Sequence, residues 1–388
     1  MRVGLRIIDA DRHVIEPFDM WQRYLEPAFV ARAPTTVPAT VTEPVVDRVA
    51  RLGALGLLQL PPVAMFEGKP IFGNLSEQAL LALAAVAHAR GGRTGALDQP
   101  ETYLQDMDQQ GIELCFLYPT FTLLMLTHEH LEPPFARAIA RAYNTWLRDF
   151  CARDPQRLRG VGVLSLHEPE QLVPQLQDIV ALGWRTVMVR PNPFQGRLLG
   201  APEYAAFWAE CERLSVSVAL HEGTHSHGVA TGSDRFHTRF AQHACSHPME
   251  HMMGFLSLLE GGVLERHPKL RFAFLESGCG WVPYWLWRLD EEYRLLAGEV
   301  RPHVRLKPSE YFRRQCFVVA EPSEKYLTAL LPQLGEDLVL FGSDFPHLDH
   351  EEGELEELLA LREQFPEPRT LQRMLWDNPA RFYGVEER

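Results

Sequence analysis

Short, mostly apolar runs recur along the chain, the first opening at Ile7 and the others covering residues 113–118, 160–166, 185–190, 216–221, 270–276, 315–320 and 338–344. Between them, apolar residues return at helical spacing over 102–110, 134–153, 168–182, 204–214, about 240–266, about 282–296 and 323–334, and a short helix is predicted at 18–24. Runs this continuous suit strands buried on both faces, and their alternation with helices predicts a parallel sheet. Eight such units favour closure into an α/β fold of the (β/α)8 TIM-barrel type over an open doubly wound sheet. No Gly-rich phosphate fingerprint follows any strand, which counts against the open nucleotide-binding alternative. The rhythm breaks once, at about 29–96, where a Pro/Thr/Val-rich run, an apolar piece around Met65, Phe66 and Phe72 and an Ala/Leu helix at 76–90 replace it. That stretch is too long for a plain loop and reads as an insertion after strand 1, a lid or pocket wall in a single domain spanning 1–388.

A length of 388 residues with 46% hydrophobic positions can fill one large barrel core. The formal net charge of −13 comes from scattered acids, which argues against nucleic acid or an anionic membrane as partner. The six cysteines form no Cys-x-x-Cys pair and are expected as reduced thiols. The first residues enter a strand directly, without a signal-peptide pattern, and no apolar run approaches the roughly 20 residues of a membrane span, so the chain reads as cytoplasmic.

Polar residues gather where the apolar runs end. The first strand delivers Asp11 and His13, two residues apart and therefore on one side; His221, Glu276 and Asp344 end three later strands. In a barrel these ends share one pocket, and imidazole with carboxylate suits a divalent transition metal, Zn, Mn or Fe. Three carboxylates around one mouth are costly without a cation. His243, His247 and His251 follow at four-residue spacing and share a helix face unless Pro248 opens the helix, which would take His243 off it. His225 and His227 read as loop residues, and His347 and His350 lie just past Asp344. Arg190 ends the fourth strand, placed either to clamp a substrate carboxylate or to pair with a neighbouring strand-end acid.

The stretch Ile8-Asp9-Ala10-Asp11-Arg12-His13-Val14-Ile15-Glu16-Pro17, with Tyr143-Asn144-Thr145-Trp146-Leu147, Asp154-Pro155-Gln156-Arg157-Leu158, the run from Gly261 to Leu270, Phe341-Gly342-Ser343-Asp344-Phe345-Pro346-His347 and Asn378-Pro379-Ala380-Arg381-Phe382-Tyr383-Gly384, resembles the amidohydrolase-related branch of the amidohydrolase superfamily. That branch contains aminocarboxymuconate-semialdehyde decarboxylase and the resorcylate decarboxylases. The resemblance places Asp11, His13, His221 and Asp344 at the metal. Asp11 stands where the family usually has His or Glu, and Glu276 stands where its decarboxylases carry a histidine followed by glycine. The resemblance implies a metal-dependent hydrolase or carboxy-lyase acting on a small carboxylated molecule, with Asp344 ligating and Glu276 as general base or as a residue that orients the ligands from behind. The alternative is a dinuclear iron oxygenase, in which Glu276 and a helix histidine, His247 or His251, serve a second metal. A second alternative is a non-catalytic binding subunit. The expected partners are a small-molecule substrate and a second copy of the chain in a homodimer.

Overall fold

The computed structural model describes residues 4–37, 63–73, 97–223, 227–301, 303–321, 323–324, 326–347, 353–365 and 367–386. Strand β1 (Ile8–Val14) is buried at every position, as a parallel strand with side chains on both faces must be. It pairs with β2 (Leu114–Pro119), and β2 pairs with the first part of β3, Leu158–Gly160. The second part, Gly162–Val163, pairs with β4 (Thr186–Val189), and the order continues through β5 (Ser217–His221), β6 (Phe272–Leu275), β7 (Cys316–Ala320) and β8 (Val339–Phe341), every pair parallel. This is the expected TIM barrel.

Two joints close it. At the mouth, the Asp344 N–H donates to the Asp11 carbonyl and the His13 N–H to the Phe345 carbonyl, each at 2.8 Å, while the Asp9 carboxylate accepts the Ser343 N–H at 2.9 Å and its hydroxyl at 2.6 Å. The segment after β8 is thereby fixed against β1. The other joint lies at Val161, where β3 breaks. There the Asn144 side chain stands in for a strand neighbour: its Nδ2 donates to the Val163 carbonyl and its Oδ1 accepts the Val163 N–H, both at 2.9 Å. The C-terminal motif also has a structural use, since Asn378 donates to the carbonyls of Glu336 and Val339 and the Tyr383 hydroxyl donates to the Ala10 carbonyl.

Two elements differ from the pattern reading, and a third settles an open choice. The strand expected over 160–166 is two short pieces. A helix at Pro308–Gln315, where periodicity predicts no element, leads into β7; its polar composition hides the buried Tyr311 and Phe312. The helix Arg239–Glu260 runs through Pro248 unbroken, so His243, His247 and His251 belong to one helix. Within the expected insertion, Thr35–Val37, Val63–Phe66 and Lys69–Pro70 form a small antiparallel sheet, and Phe66 packs against Phe135 and His128. The helix read at 76–90 lies outside the described residues, as do His225 and His350. All six cysteines are free thiols. Among the described residues no helix is long and apolar enough to cross a membrane.

The Asn144 bracket is open to test. Asn144→Ala leaves two buried backbone groups of Val163 unsatisfied, so it should cost about 2 kcal/mol. Urea unfolding would show this as a lowered midpoint at an unchanged slope, and an unmoved midpoint would remove Asn144 from the account of how β3 is held.

Candidate metal centre

β1 emerges from the core carrying Asp11 and His13, and both are buried. The His13 Nδ1 lies 2.9 Å from the Pro119 carbonyl, which can only accept, so Nδ1 carries the proton and Nε2 presents its lone pair to the pocket. His221, ending β5, is oriented in the same way by the Glu222 carbonyl at 2.6 Å. The two Nε2 atoms face each other at 3.0 Å. Around them stand Asp344 Oδ1, 3.1 Å from His13 Nε2; Glu276 Oε2, 3.1 Å from His221 Nε2; and Asp11 Oδ1, 3.5 and 3.7 Å from the two imidazoles. Asp344 and Glu276 both sit just past their strands with left-handed backbone, φ 48° and 54°. Non-glycine residues adopt that conformation at a cost, and it recurs where a side chain is aimed for function.

The electrostatics follow from burial and charge. Burial, reinforced by His347, holds His13 neutral. Burial opposes charge on His221 as well, yet Asp11 and Glu276 outweigh it and raise the imidazole to about 9. Glu276 is driven up by burial but held well below the usual carboxylate range by His247 and His221. In a metal-free protein His221 would therefore carry the proton that offsets its acids. A divalent cation would displace that proton and satisfy both Nε2 lone pairs at once. The donor set fits such an ion: two pre-oriented imidazoles and two or three carboxylate oxygens, with ligand atoms of His13, Glu276, Asp344 and His347, and of Asp11, His13 and His221, each within 4.8 Å of one another.

A third grouping, His243, His247 and Glu276, adjoins the first two through Glu276. The Glu276 Oε1 lies 3.3 Å from His247 Nε2 while its Oε2 faces His221, so one carboxylate looks both ways. His251, the other candidate on this helix, does not join: its Nε2 lies 3.0 Å from the Leu220 carbonyl, and burial with His247 pushes it down to about 3. His227 turns away too, donating to the Pro70 carbonyl at 2.7 Å. His347 is closer than its place after the motif suggested, with Nδ1 2.9 Å from Asp344 Oδ1 and Nε2 2.9 Å from the Thr120 hydroxyl.

Arg190 is paired with a strand-end acid: its Nη2 lies 2.5 Å from Glu222 Oε1, and its Nε donates to Asn192 Oδ1. Glu222 itself was missed in the sequence. It is fully buried, accepts from Asn192, and has its other oxygen 3.7 Å from His247 Nδ1. The only available signal was its position next to His221. Glu16 was likewise given no role, though it lies in the first motif; its buried carboxylate accepts the N–H groups of Thr120, Phe121 and Thr122 and caps the helix Phe121–Met125 at the mouth.

A protein-family model described as Amidohydrolase matches residues 8–385. A gamma-resorcylate decarboxylase of Rhodococcus jostii (strain RHA1) is 28% identical over 270 residues, covering 64% of this chain and 78% of that protein. The 2-amino-3-carboxymuconate-6-semialdehyde decarboxylase of Dictyostelium discoideum is 24% identical over 293 residues, covering 74% of this chain and 77% of that one. Among solved structures, a dihydroxybenzoic acid decarboxylase from Polaromonas sp. JS666 with bound manganese and the inhibitor 2-nitroresorcinol aligns at a TM-score of 0.67 and 16% identity, over 99% of this chain and 98% of that one.

The ligand assignment predicts that His13→Ala and Asp344→Asn each purify with less than about a tenth of the wild-type metal while keeping the wild-type far-ultraviolet circular dichroism. Elemental analysis checks this, and full metal content in either variant would remove that residue from the centre.

Proposed function

Because the chain belongs to the amidohydrolase family, and is an enzyme of metal-dependent hydrolase or decarboxylase type that uses a divalent metal, we propose that it is a carboxy-lyase or hydrolase acting on a small organic carboxylate at the centre formed by Asp11, His13, His221 and Asp344. The observation that carries this reading is the pair of buried imidazoles whose Nε2 atoms meet at 3.0 Å among carboxylates. A bound divalent ion supplies Lewis acidity toward a substrate oxygen or acidifies water. The chain's own residues do the rest. His13 and His221 are locked in orientation by backbone carbonyls, so little reorganisation is needed on binding. Glu276, kept anionic by His247, takes a proton from water in a hydrolysis, and in a decarboxylation its protonated form returns one to the carbon that releases carbon dioxide. His247, held charged between Glu276 and Glu222, keeps the Glu276 carboxylate in its basic form. Arg190 anchors the substrate's carboxylate from the neighbouring strand end. Of the expected insertion, Phe66 packs against His128 and Phe135, and Phe72 against Phe121, on the side of the same mouth.

A second reading is favoured by the two-sided placement of Glu276. Its oxygens face His221 and His247 separately, and His243 lies beside His247 with ring centroids 4.8 Å apart, so a second ion would be held by His243, His247 and Glu276. Three carboxylates against one divalent ion leave one negative charge, and against two they leave one positive charge, a site suited to an anionic substrate or reduced oxygen. That would be a dinuclear iron oxygenase. Anomalous diffraction at the iron and zinc edges separates the readings: a single peak beside His13 and His221 is expected, whereas two peaks about 3.5–4 Å apart with Glu276 between them would replace the mononuclear reading by the dinuclear one.

The reading includes a homodimer. Tyr284 and Trp287 stand 58% and 59% exposed on the helix Trp281–Val300, an apolar pair that a second copy would cover. Light scattering on the eluting protein should give twice the chain mass, and a monomer mass would exclude it.

A further inference from the structure

Four strand ends, those of β1, β5, β6 and β8, send side chains to the metal centre, and among the described residues none of its groupings takes a member from β7 or the loop after it. That loop acts elsewhere. β6 stops pairing at Leu275, opposite His221, and Glu276 follows with left-handed backbone at φ 54°. Ser277, Gly278, Cys279 and Gly280 then lead to the helix Trp281–Val300 without belonging to any helix or strand. The turn is instead wrapped around one carboxylate, that of Glu324 in the loop after β7. Glu324 Oε1 accepts the Gly280 N–H at 2.8 Å, and Oε2 accepts the Cys279 N–H at 2.9 Å and the Glu321 N–H of its own loop at 3.2 Å. The Cys279 thiol donates to the same oxygen at 3.2 Å. Gly278 sits at φ 61°, and a Cβ there would come within 2.9 Å of Oε1, so it is glycine that lets the turn approach the carboxylate.

Left-handed backbone costs a non-glycine residue energy and persists only where the surroundings over-determine it. Glu324 supplies that determination. N–H groups at the start of a helix have no partner inside it, and a carboxylate facing them is favoured by the helix dipole as well. The first anchored N–H lies three residues after Glu276, so the chain between them has little room to drift. We infer that Glu324 is a positioning residue for the centre, which by fixing this turn aims Glu276 so that its Oε2 meets His221 at 3.1 Å and its Oε1 meets His247 at 3.3 Å. A carboxylate that serves two imidazoles at once tolerates little displacement. This rests on the proposed function only in placing Glu276 at the metal centre.

Cobalt(II) is the probe, with its dissociation constant and visible absorption read on the full chain, separately from turnover. Glu276→Gln is expected to weaken cobalt binding by at least about tenfold and to alter the absorption. Glu324→Ala is expected to weaken it by about tenfold and to alter the absorption in the same direction, the loss that follows when a residue orienting the groups at a metal is removed. With both changes together the loss should stay within about twofold of that in Glu276→Gln alone, because a residue that acts through Glu276 then has nothing to position. Glu324→Gln leaves the turn a neutral acceptor and should lose about threefold; it enters the same cycle if the alanine variant does not fold. Asn144→Ala, which lowers stability at β3, should keep the wild-type cobalt affinity. Unchanged affinity and absorption in the Glu324 variant, a loss that adds in full to that of Glu276→Gln, or an equal loss in Asn144→Ala would overturn the inference. A cycle that closes as expected, in a protein that neither releases carbon dioxide from any test carboxylate nor hydrolyses one, would leave Glu324 in place and sink the proposed reaction.

Discussion

Asp11, Glu276 and Asp344 bring three carboxylates into one small buried space with the Nε2 atoms of His13, His221 and His247, and the rest of the mouth is arranged around that concentration of negative charge and lone pairs. Two unit charges about 4 Å apart repel by about 4 kcal/mol at an effective dielectric of 20. Such an arrangement persists only if positive charge is supplied, and two sources are built in. Protons on His221 and His247 are one, which is why both imidazoles are raised against the effect of burial. A divalent cation is the other, and it exchanges with the first, so metal and protons compete for the same atoms.

Holding the acids together against their repulsion requires a rigid frame, and β1 provides it by being at once a source of ligands and the strand that closes the barrel. Asp344 is gripped on both sides. Ser343 before it is held by Asp9, and Phe345 after it lies under the Arg12 guanidinium, 4.3 Å from the ring centre. Arg12 is itself buried and paired with Asp106. Burial pushes Asp9 up to about 6 despite Arg12 and Ser343, so this clamp depends on a carboxylate that holds its charge with difficulty. Removing either partner would leave the other buried and uncompensated, a loss of several kcal/mol for a charged group.

The barrel and five of its strand-end acids and imidazoles were legible because parallel strands buried on both faces read as continuous apolar runs, and a polar residue ending such a run has one place to go. What pattern could not supply was direction around a helix. Four residues advance an α-helix by about 400°, so each step of four drifts about 40°; His243 and His247 stay toward Glu276, while His251 has rotated to the β5 backbone. Nor could it supply partners. Arg190 and Glu222 are 32 residues apart on neighbouring strands, and only their register brings the guanidinium and carboxylate to 2.5 Å. Polar helices with a few buried aromatics, such as Pro308–Gln315, fall below the contrast that periodicity needs.

Glu222 ties these levels together. One of its oxygens is held by Arg190 and Asn192, and the other faces His247, which faces Glu276. The β4 strand end and the centre are therefore joined by a chain of alternating charge, Arg190, Glu222, His247 and Glu276, inside a medium that screens weakly. An anion drawn to Arg190 offsets part of the positive charge that Glu222 now feels, leaving more of the carboxylate's field to act on His247. The imidazole is then held more firmly in its charged form, and Glu276 beside it is held more firmly as the anion. The charge at the β4 strand end and the charge state of the residue that faces the metal centre are in this way one electrostatic problem, solved by side chains that the strand order, and no local motif, brings together.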